Sequence, residues 1–237
     1  MPTFSSFNAY GSEKIDLLNS HVPVWLGPVA PVPVGGSLAS AYLRKGFKLG
    51  AGAPVKLASK VITPFVGYVV VAFTAATGSE TYDTVVVKAA EFGNVKIAPA
   101  AEDVVMKLGA TFATAGAARA IASSTLITEG TNAGCYTITI AHSANLGTLE
   151  AGDVLTPSAT AGASGKLPSV QPNGYLYNDI YLGNLDDSAE AVSAKTIAAT
   201  GAVVKFHKYG LLVDLTPSAE VKAQMAAAVP GVLQVEA

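Results

Sequence analysis

From residue 47 onward the chain reads as a succession of apolar, β-branched runs, each bounded by Gly, Pro or Asn. KLGAGAPVKLA, VITPFVGYVVVAF, TYDTVVVKAA and NVKIA have the β-branched content and breaker punctuation of strands. TVVVKAAEFGNVKIA predicts a hairpin turning through Glu91 to Asn94. In CYTITIAH the period is two, which places Ile138 and Ile140 on one face and Thr137 and Thr139 on the other. GYLYNDIYL, AKTIAAT and GAVVKFHKYGLLVDL predict further strands. Two segments carry helical signals. Residues 99–108 open on Pro99, hold Glu102 and Asp103 at the positive end and Lys107 at the negative end, and predict a short helix closed by Gly109. Residues 216–229 have Thr216 as N-cap, Pro217 at the first position, Glu220 in the first turn and Val221, Met225 and Val229 four apart; Pro230-Gly231 stops this helix and VLQVE follows as a strand. Residues 111–124 are Ala-rich and read as helix or loop. Residues 156–173, with Pro157, Gly162, Gly165, Pro168 and Pro172, read as a long loop or a domain junction.

The first 45 residues have a different texture. VPVWLGPVAPVPVGG, residues 22–36, carries four prolines and no charge. Each proline fixes φ and removes a donor, so this ribbon runs as polyproline II or irregular strand and cannot fold on itself. Its apolar side chains, Val22, Val24, Trp25, Leu26, Val29, Val32 and Val34, must lie on the rest of the chain or on a neighbour; Gly35-Gly36 follow as a hinge and residues 37–44 as a helical turn. The predicted organisation is an extended arm over 1–45, a β domain or insertion over 46–148, and a second β domain with a short helix over 149–237. The fold class is mainly β, of sandwich or barrel type. A phrase also recurs: AGAPVKL leads to VGYVVVAF, and AGDVLTPS leads to NGYLYNDI. It is either a duplication or two ordinary turn-strand units.

Composition sharpens this picture. Half of the 237 residues are apolar and only 14% are charged, against about 25% in an average globular protein, so the surface is built from Ala, Thr, Ser and Gly and suits packing against other subunits. With a net charge of −2 and no basic block, nucleic-acid binding is not expected. The longest apolar run, 66–76, falls short of the ~18 residues a membrane helix needs. MPTFSSFNAYGSEKID lacks the basic and apolar regions of a secretory signal, and synthesis in a cytoplasm is expected. A single cysteine, Cys135, excludes an internal disulfide and reads as a strand thiol.

Catalytic spacings fail. Gly165-Lys166 is not a phosphate loop, because Thr160 and Leu167 stand where a glycine and a hydroxyl are required. His21, His142 and His207 are scattered, and Asp179, Asp186, Asp187 and Glu190 lack calcium-loop spacing. Tyr175, Tyr177 and Tyr181 form a core or interface stripe rather than a sugar platform. No catalytic residue, cofactor or metal is expected, and an enzyme acting through Asp186 or Asp187 is the weakest alternative.

The pattern LGAGAPVKL then FVGYVVVAF, and AGDVL then NGYLYNDIYL, GAVVKFHKYGLL, an Ala-rich helix and GVLQVE, resembles capsid-bound head decoration and head-fibre proteins of tailed bacteriophages, crAss-like phages among them. The resemblance spans about residues 47–73 and 149–235; residues 77–147 match nothing in it. It implies a non-enzymatic virion protein on the capsid surface, a homo-oligomer and commonly a trimer, whose partners are the major capsid protein and other virion proteins. The arm would then dock on a neighbouring subunit. A surface adhesin with a carbohydrate-binding β module is the alternative.

Overall fold

A computed structural model describes residues 25, 36–42, 47–92, 95–142, 146–178, 180–181, 202–206 and 219–236. In chain order the described elements are β1 (Ser37–Leu38), a 3-10 turn (Ser40–Tyr42), β2 (Lys48–Leu49), β3 (Pro54–Ala58), β4 (Val61–Pro64), β5 (Tyr68–Thr74), β6 (Tyr82–Lys88), β7 (Ala90–Phe92), β8 (Val95–Ile97), β9 (Val104–Lys107), β10 (Gly116–Ala120), β11 (Ser123–Leu126), β12 (Cys135–Ala141), β13 (Val154–Pro157), β14 (Gly162–Lys166), β15 (Gly174–Tyr175), β16 (Ile180–Tyr181), β17 (Ala202–Phe206), helix α1 (Ala219–Ala228) and β18 (Val232–Glu236). The fold is mainly β, as the period-two runs require.

The largest sheet has the order β11-β12-β6-β5-β13-β9-β10-β14. The strand at one end, β11, and the strand next to the other end, β10, are one piece of chain, halves of the run 116–126. The first half pairs with β9, Ala118 facing Met106 and Ala120 facing Val104. At the junction Ile121 N–H donates to Asp103 C=O (2.9 Å), Glu102 N–H donates to Ile121 C=O (2.9 Å), and Ala122 N–H already donates to Thr139 C=O on β12 (2.8 Å). The second half pairs with β12. The sheet is therefore closed into a barrel, with β14 added outside on β10.

Directly opposed residues share a face, so the barrel interior can be read across the strands. Val85 faces Ile138 and Asp83 faces Ile140, and Val70 faces Val87. All six are buried, with Leu155 and Tyr68 beside them. The same cluster takes in Leu38, Val55 and Ile62 of the smaller sheet β1-β4-β3-β15, so barrel and small sheet share one core. Burying each such side chain contributes about 1.5–3 kcal/mol. Strand β13 is buried on both faces. Leu155 joins this first core, while Val154 joins a second one formed with Phe65, Leu108, Phe112, Tyr175 and the α1 residues Val221 and Met225.

Several expectations hold. Helix α1 buries Val221 and Met225 as the spacing of four predicts, with Val229 just beyond it also buried, and β18 follows as the terminal strand. In β12 Ile138 and Ile140 are buried and the threonines half-exposed. The 3-10 turn lies in the predicted region. Others are corrected. Residues 99–108 are not a helix: a turn at 100–103 with Glu102 at φ +70° precedes β9. Asp103 accepts from Ala100 N–H at 2.8 Å and so closes a turn rather than a helix end. The β-branched pair Val104-Val105 then finds ladder partners on both sides, in β13 and β10. Of the Ala-rich 111–124, residues 111–115 hold a turn in which Thr114 N–H donates to Thr111 C=O (2.9 Å), while 116–120 are β10, paired with β9, and 123–124 open β11. The breaker-rich 156–173 contains the end of β13 and all of β14, with its prolines at strand ends. The hairpin is tighter than predicted, β7 with β8, since β6 is committed to β5 and β12. Strand β13, beyond the expected boundary at 148/149, lies between β5 and β9 in the larger sheet.

The two echoed phrases meet each other. In the turn at 50–53, Gly52 (φ +83°) donates to Leu176 C=O and Leu176 N–H donates to Ala53 C=O. In the turn at 150–153, Gly152 (φ +99°) donates to Val70 C=O and Val70 N–H donates to Asp153 C=O. Each turn is thus latched to the strand that follows the other phrase.

Because one core runs through barrel and small sheet, Ile138→Ala lowers stability by about 2–5 kcal/mol. Far- and near-ultraviolet circular dichroism should follow a single denaturant transition in both proteins. Separate transitions for the two sheets would contradict the shared core.

Candidate interaction site

Two features of the described surface have the chemistry of contact. The first is the socket that receives Trp25. The indole lies half-buried against the second core. Its Nε1–H donates to the Tyr177 carbonyl at 2.8 Å. Its ring meets Tyr175 edge-on, with centroids 6.3 Å apart at 76°, and Tyr177 at 6.3 Å and 44°. Such pairs contribute about 0.5–1.5 kcal/mol each beyond the area they bury. Tyr175 is held in turn by Gln234, whose Nε2 donates to the phenolic oxygen at 2.6 Å and to the Lys222 carbonyl at 2.8 Å. The arm is therefore tied, through one ring, to the structure built by β15, α1 and β18.

Of the seven ribbon residues predicted to contact a partner, Trp25 alone lies among the described residues, and it packs on its own chain. Val22, Val24, Leu26, Val29, Val32 and Val34 lie outside them. The hinge expected at Gly35-Gly36 is half described: Gly36 is buried, and a side chain there would meet Leu57 at 2.7 Å and the Lys60 carbonyl at 2.9 Å. That glycine is a close-packed seat.

Electrostatics around the second core follow from burial. The Tyr175 hydroxyl is pushed up to about 12 by desolvation, with the Gln234 hydrogen bond acting the other way. Tyr68, in the barrel wall, is raised further by burial, then by Asp103 and Tyr42. The Glu220 carboxyl, in the first turn of α1, is raised by burial and then by Asp153; a Val154 backbone hydrogen bond and Lys107 oppose the rise. Lys107 itself bridges to Asp153 at 2.7 Å.

The second feature is the outer face of β5, β6, β12 and β11. One row across the four strands is Thr74, Thr84, Thr139 and Ser123, and the next is Ala72, Val86, Thr137 and Thr125. The residues on the outer strands β5 and β11 are exposed and those on β6 and β12 half-exposed. The Ser123 and Thr139 hydroxyls are hydrogen-bonded at 2.7 Å. Tyr82 and Ala141 pair above these rows, and Lys88 and Cys135 pair below them.

The remaining sequence candidates separate. Cys135 is a half-buried strand thiol. His142 is exposed, as expected of a scattered histidine, and its Nδ1 donates at 2.6 Å to Asp83, whose buried carboxylate also accepts from Ala76 N–H. That pairing could not be found by spacing, since 59 residues separate its members. Tyr175 is core and Tyr177 half-buried. Lys166 Nζ donates to Thr160 Oγ1 at 3.1 Å. His21, His207, Asp179, Asp186, Asp187, Glu190 and the Tyr181 side chain lie outside the described residues. Among the described residues no cluster of three or more His, Cys, Asp or Glu could hold a metal ion, and no helix is long and apolar enough to cross a membrane.

A phenol held above its ordinary value favours folding while it is neutral. Its contribution is full below pH 10 and fades as pH rises through about 12. The melting temperature of the native chain should therefore fall between pH 10 and 12, and fall less in Tyr175→Phe; identical slopes would exclude this role. Trp25, the sole tryptophan, should report the same event as a red shift of its emission.

No family model matches the chain, and no curated protein and no solved structure is similar to it.

Proposed function

We propose that the chain is a non-enzymatic structural protein of a tailed-phage virion, a head decoration protein that sits on the outer surface of the capsid as a homo-oligomer. The observation that carries this reading is the fastening of Trp25. A ribbon whose sequence allows neither helix nor central strand is fastened at one ring, by two aromatic contacts and a hydrogen bond, to Tyr175 and Tyr177 beside the second core. In this reading Trp25 is the root of the arm, and Val22, Val24, Leu26, Val29, Val32 and Val34 are the contacts with the major capsid protein or a neighbouring virion subunit. Proline lowers the entropy lost when such a ribbon is ordered on its partner, and apolar burial contributes about 25 cal/mol per Å².

The charge-poor surface supports the reading in a second way. A capsid auxiliary protein is surrounded by other subunits, and side chains such as Thr, Ser, Ala and Val lose little solvation when covered. The sequence resemblance to head decoration and head-fibre proteins points in the same direction.

The test is co-sedimentation with capsids of the virus that encodes the chain. The full chain should pellet with them, and a chain lacking residues 1–36 should lose at least about tenfold in affinity, about 1.4 kcal/mol. Trp25→Ala should weaken binding less than removal of the whole ribbon. Undiminished binding by the truncated chain would exclude the arm, and no binding by the full chain would exclude the capsid.

A further inference from the structure

We propose that Asn173-Gly174, at the entry to β15, is a site of spontaneous covalent modification, and that its conversion to an isoaspartyl linkage is a one-way release of the socket that holds Trp25. The proposal concerns the socket alone and needs no capsid.

Two observations meet at this pair. The first is chemical. Asn173-Gly174 is the only Asn-Gly in the chain. Glycine has no Cβ to shield its nitrogen and the freest backbone of any residue, so the nitrogen after Asn173 reaches the side-chain carbon Cγ more readily than at any other asparagine here. Asn173 is exposed, so water has access to it. The second is structural. The same side chain acts as an extra rung of the small sheet: its Oδ1 accepts from Leu57 N–H at 2.8 Å and its Nδ2 donates to Leu57 C=O at 3.0 Å. With both ends of the amide held on Leu57, Cγ is not free to swing onto Gly174. The fold guards the one pair most prone to react, and guards it with two exposed hydrogen bonds, which open locally without global unfolding.

In the reaction the Gly174 nitrogen, its proton passed to hydroxide, attacks Asn173 Cγ. The N–Cγ bond forms, the Cγ–Nδ2 bond breaks, Nδ2 leaves as ammonia with a proton from water, and a cyclic imide remains. Water then adds to one of the two imide carbonyls. Addition at Cγ gives aspartate. Addition at the main-chain carbonyl breaks its bond to Gly174 and leaves the chain running through Cβ and Cγ, as isoaspartate. Water enters, ammonia leaves, and nothing is oxidised or reduced. Neither product restores the rung, since a carboxylate has no hydrogen to give Leu57 C=O.

The isoaspartyl linkage goes further. It adds one carbon to the backbone between the Asn173 N–H, which donates to Val55 C=O (3.0 Å), and the Leu176 N–H, which donates to Ala53 C=O (2.9 Å). Those two bonds set β15 against β3 and the turn at 50–53, and Tyr175 stands between them, opposite Pro54. An extra atom puts them out of phase. Tyr175 meets Trp25 edge-on and takes the Gln234 hydrogen bond, so the residue displaced is the one on which the arm is fastened.

The test is incubation of the full chain in mildly alkaline buffer at body temperature, with peptide mass mapping and isoaspartate-specific methylation to locate the product. Asn173 should convert in the folded chain roughly ten- to a hundredfold more slowly than in the chain unfolded in urea, because the rung must open first. Converted and unconverted chains differ by a negative charge and separate on an anion exchanger. The converted fraction should show a red-shifted emission from Trp25, the sole tryptophan, and acrylamide quenching raised roughly twofold or more as the ring loses its cover. Asn173→Ser has no Cγ amide to attack and should hold its starting emission through the same incubation; if that variant does not fold, the two native fractions still give the comparison. Asn173 intact in the folded chain beyond about a hundred half-times of the unfolded chain would overturn the proposal. So would conversion as fast folded as unfolded, converted chains whose Trp25 emission matches the unconverted, or an equal drift in Asn173→Ser. Since no capsid is present, none of these outcomes depends on whether the chain binds one.

Discussion

Closure of the barrel by the run 116–126 is the constraint on which the rest of the structure depends. A sheet with open edges exposes unpaired backbone groups, and an interior as apolar as Val85, Val87, Ile138 and Ile140 would be exposed along them. One chain segment solves both problems by pairing with β9 over its first half and β12 over its second. The change of partner occurs within Ile121 and Ala122, and Ile121 is fully buried at the seam. The register of β12 follows, and with it the division between buried isoleucines and outward threonines.

The closed barrel also explains why so few charges suffice. At β13 the wall is buried on both sides, Leu155 in the first core and Val154 against the second core that includes α1. The second core formed there seats Tyr175, and Tyr175 seats Trp25. Trp25, Tyr175, the buried side of α1 and Val154 of β13 thereby meet in one cluster. On the opposite side the wall ends in neutral hydroxyls and methyl groups, which tolerate water and protein alike.

The period of each strand was legible in the residues; the identity of its neighbours was not. CYTITIAH declares its two faces, and 216–229 declares a helix through cap, spacing and stop, because those signals lie within one turn or one pleat. Residues 99–108 mislead for the same reason: Pro99, Glu102 and Asp103 mimic a helix start locally, while the ladders that make Val104–Lys107 a strand come from β10 and β13, the latter about fifty residues away. The Ala-rich strand β10 has no β-branched residue to announce it, and its conformation is imposed by the partners it joins. The candidate site was half visible. Trp25 could be singled out by its setting among prolines, but its socket needs Tyr177 and Gln234, and the hydroxyl rows exist only once four strands are in register.

The reciprocal latching of the turns at 50–53 and 150–153 has a consequence for biosynthesis. The early turn waits for Leu176, and β5 waits for Asp153 and Val154, so roughly two-thirds of the chain must leave the ribosome before the first clasp can close and nearly three-quarters before both can. Until then the early turn and β5 lack their partners, the condition most exposed to wrong pairing. Slow, late and all at once is the expected course of maturation for such a topology.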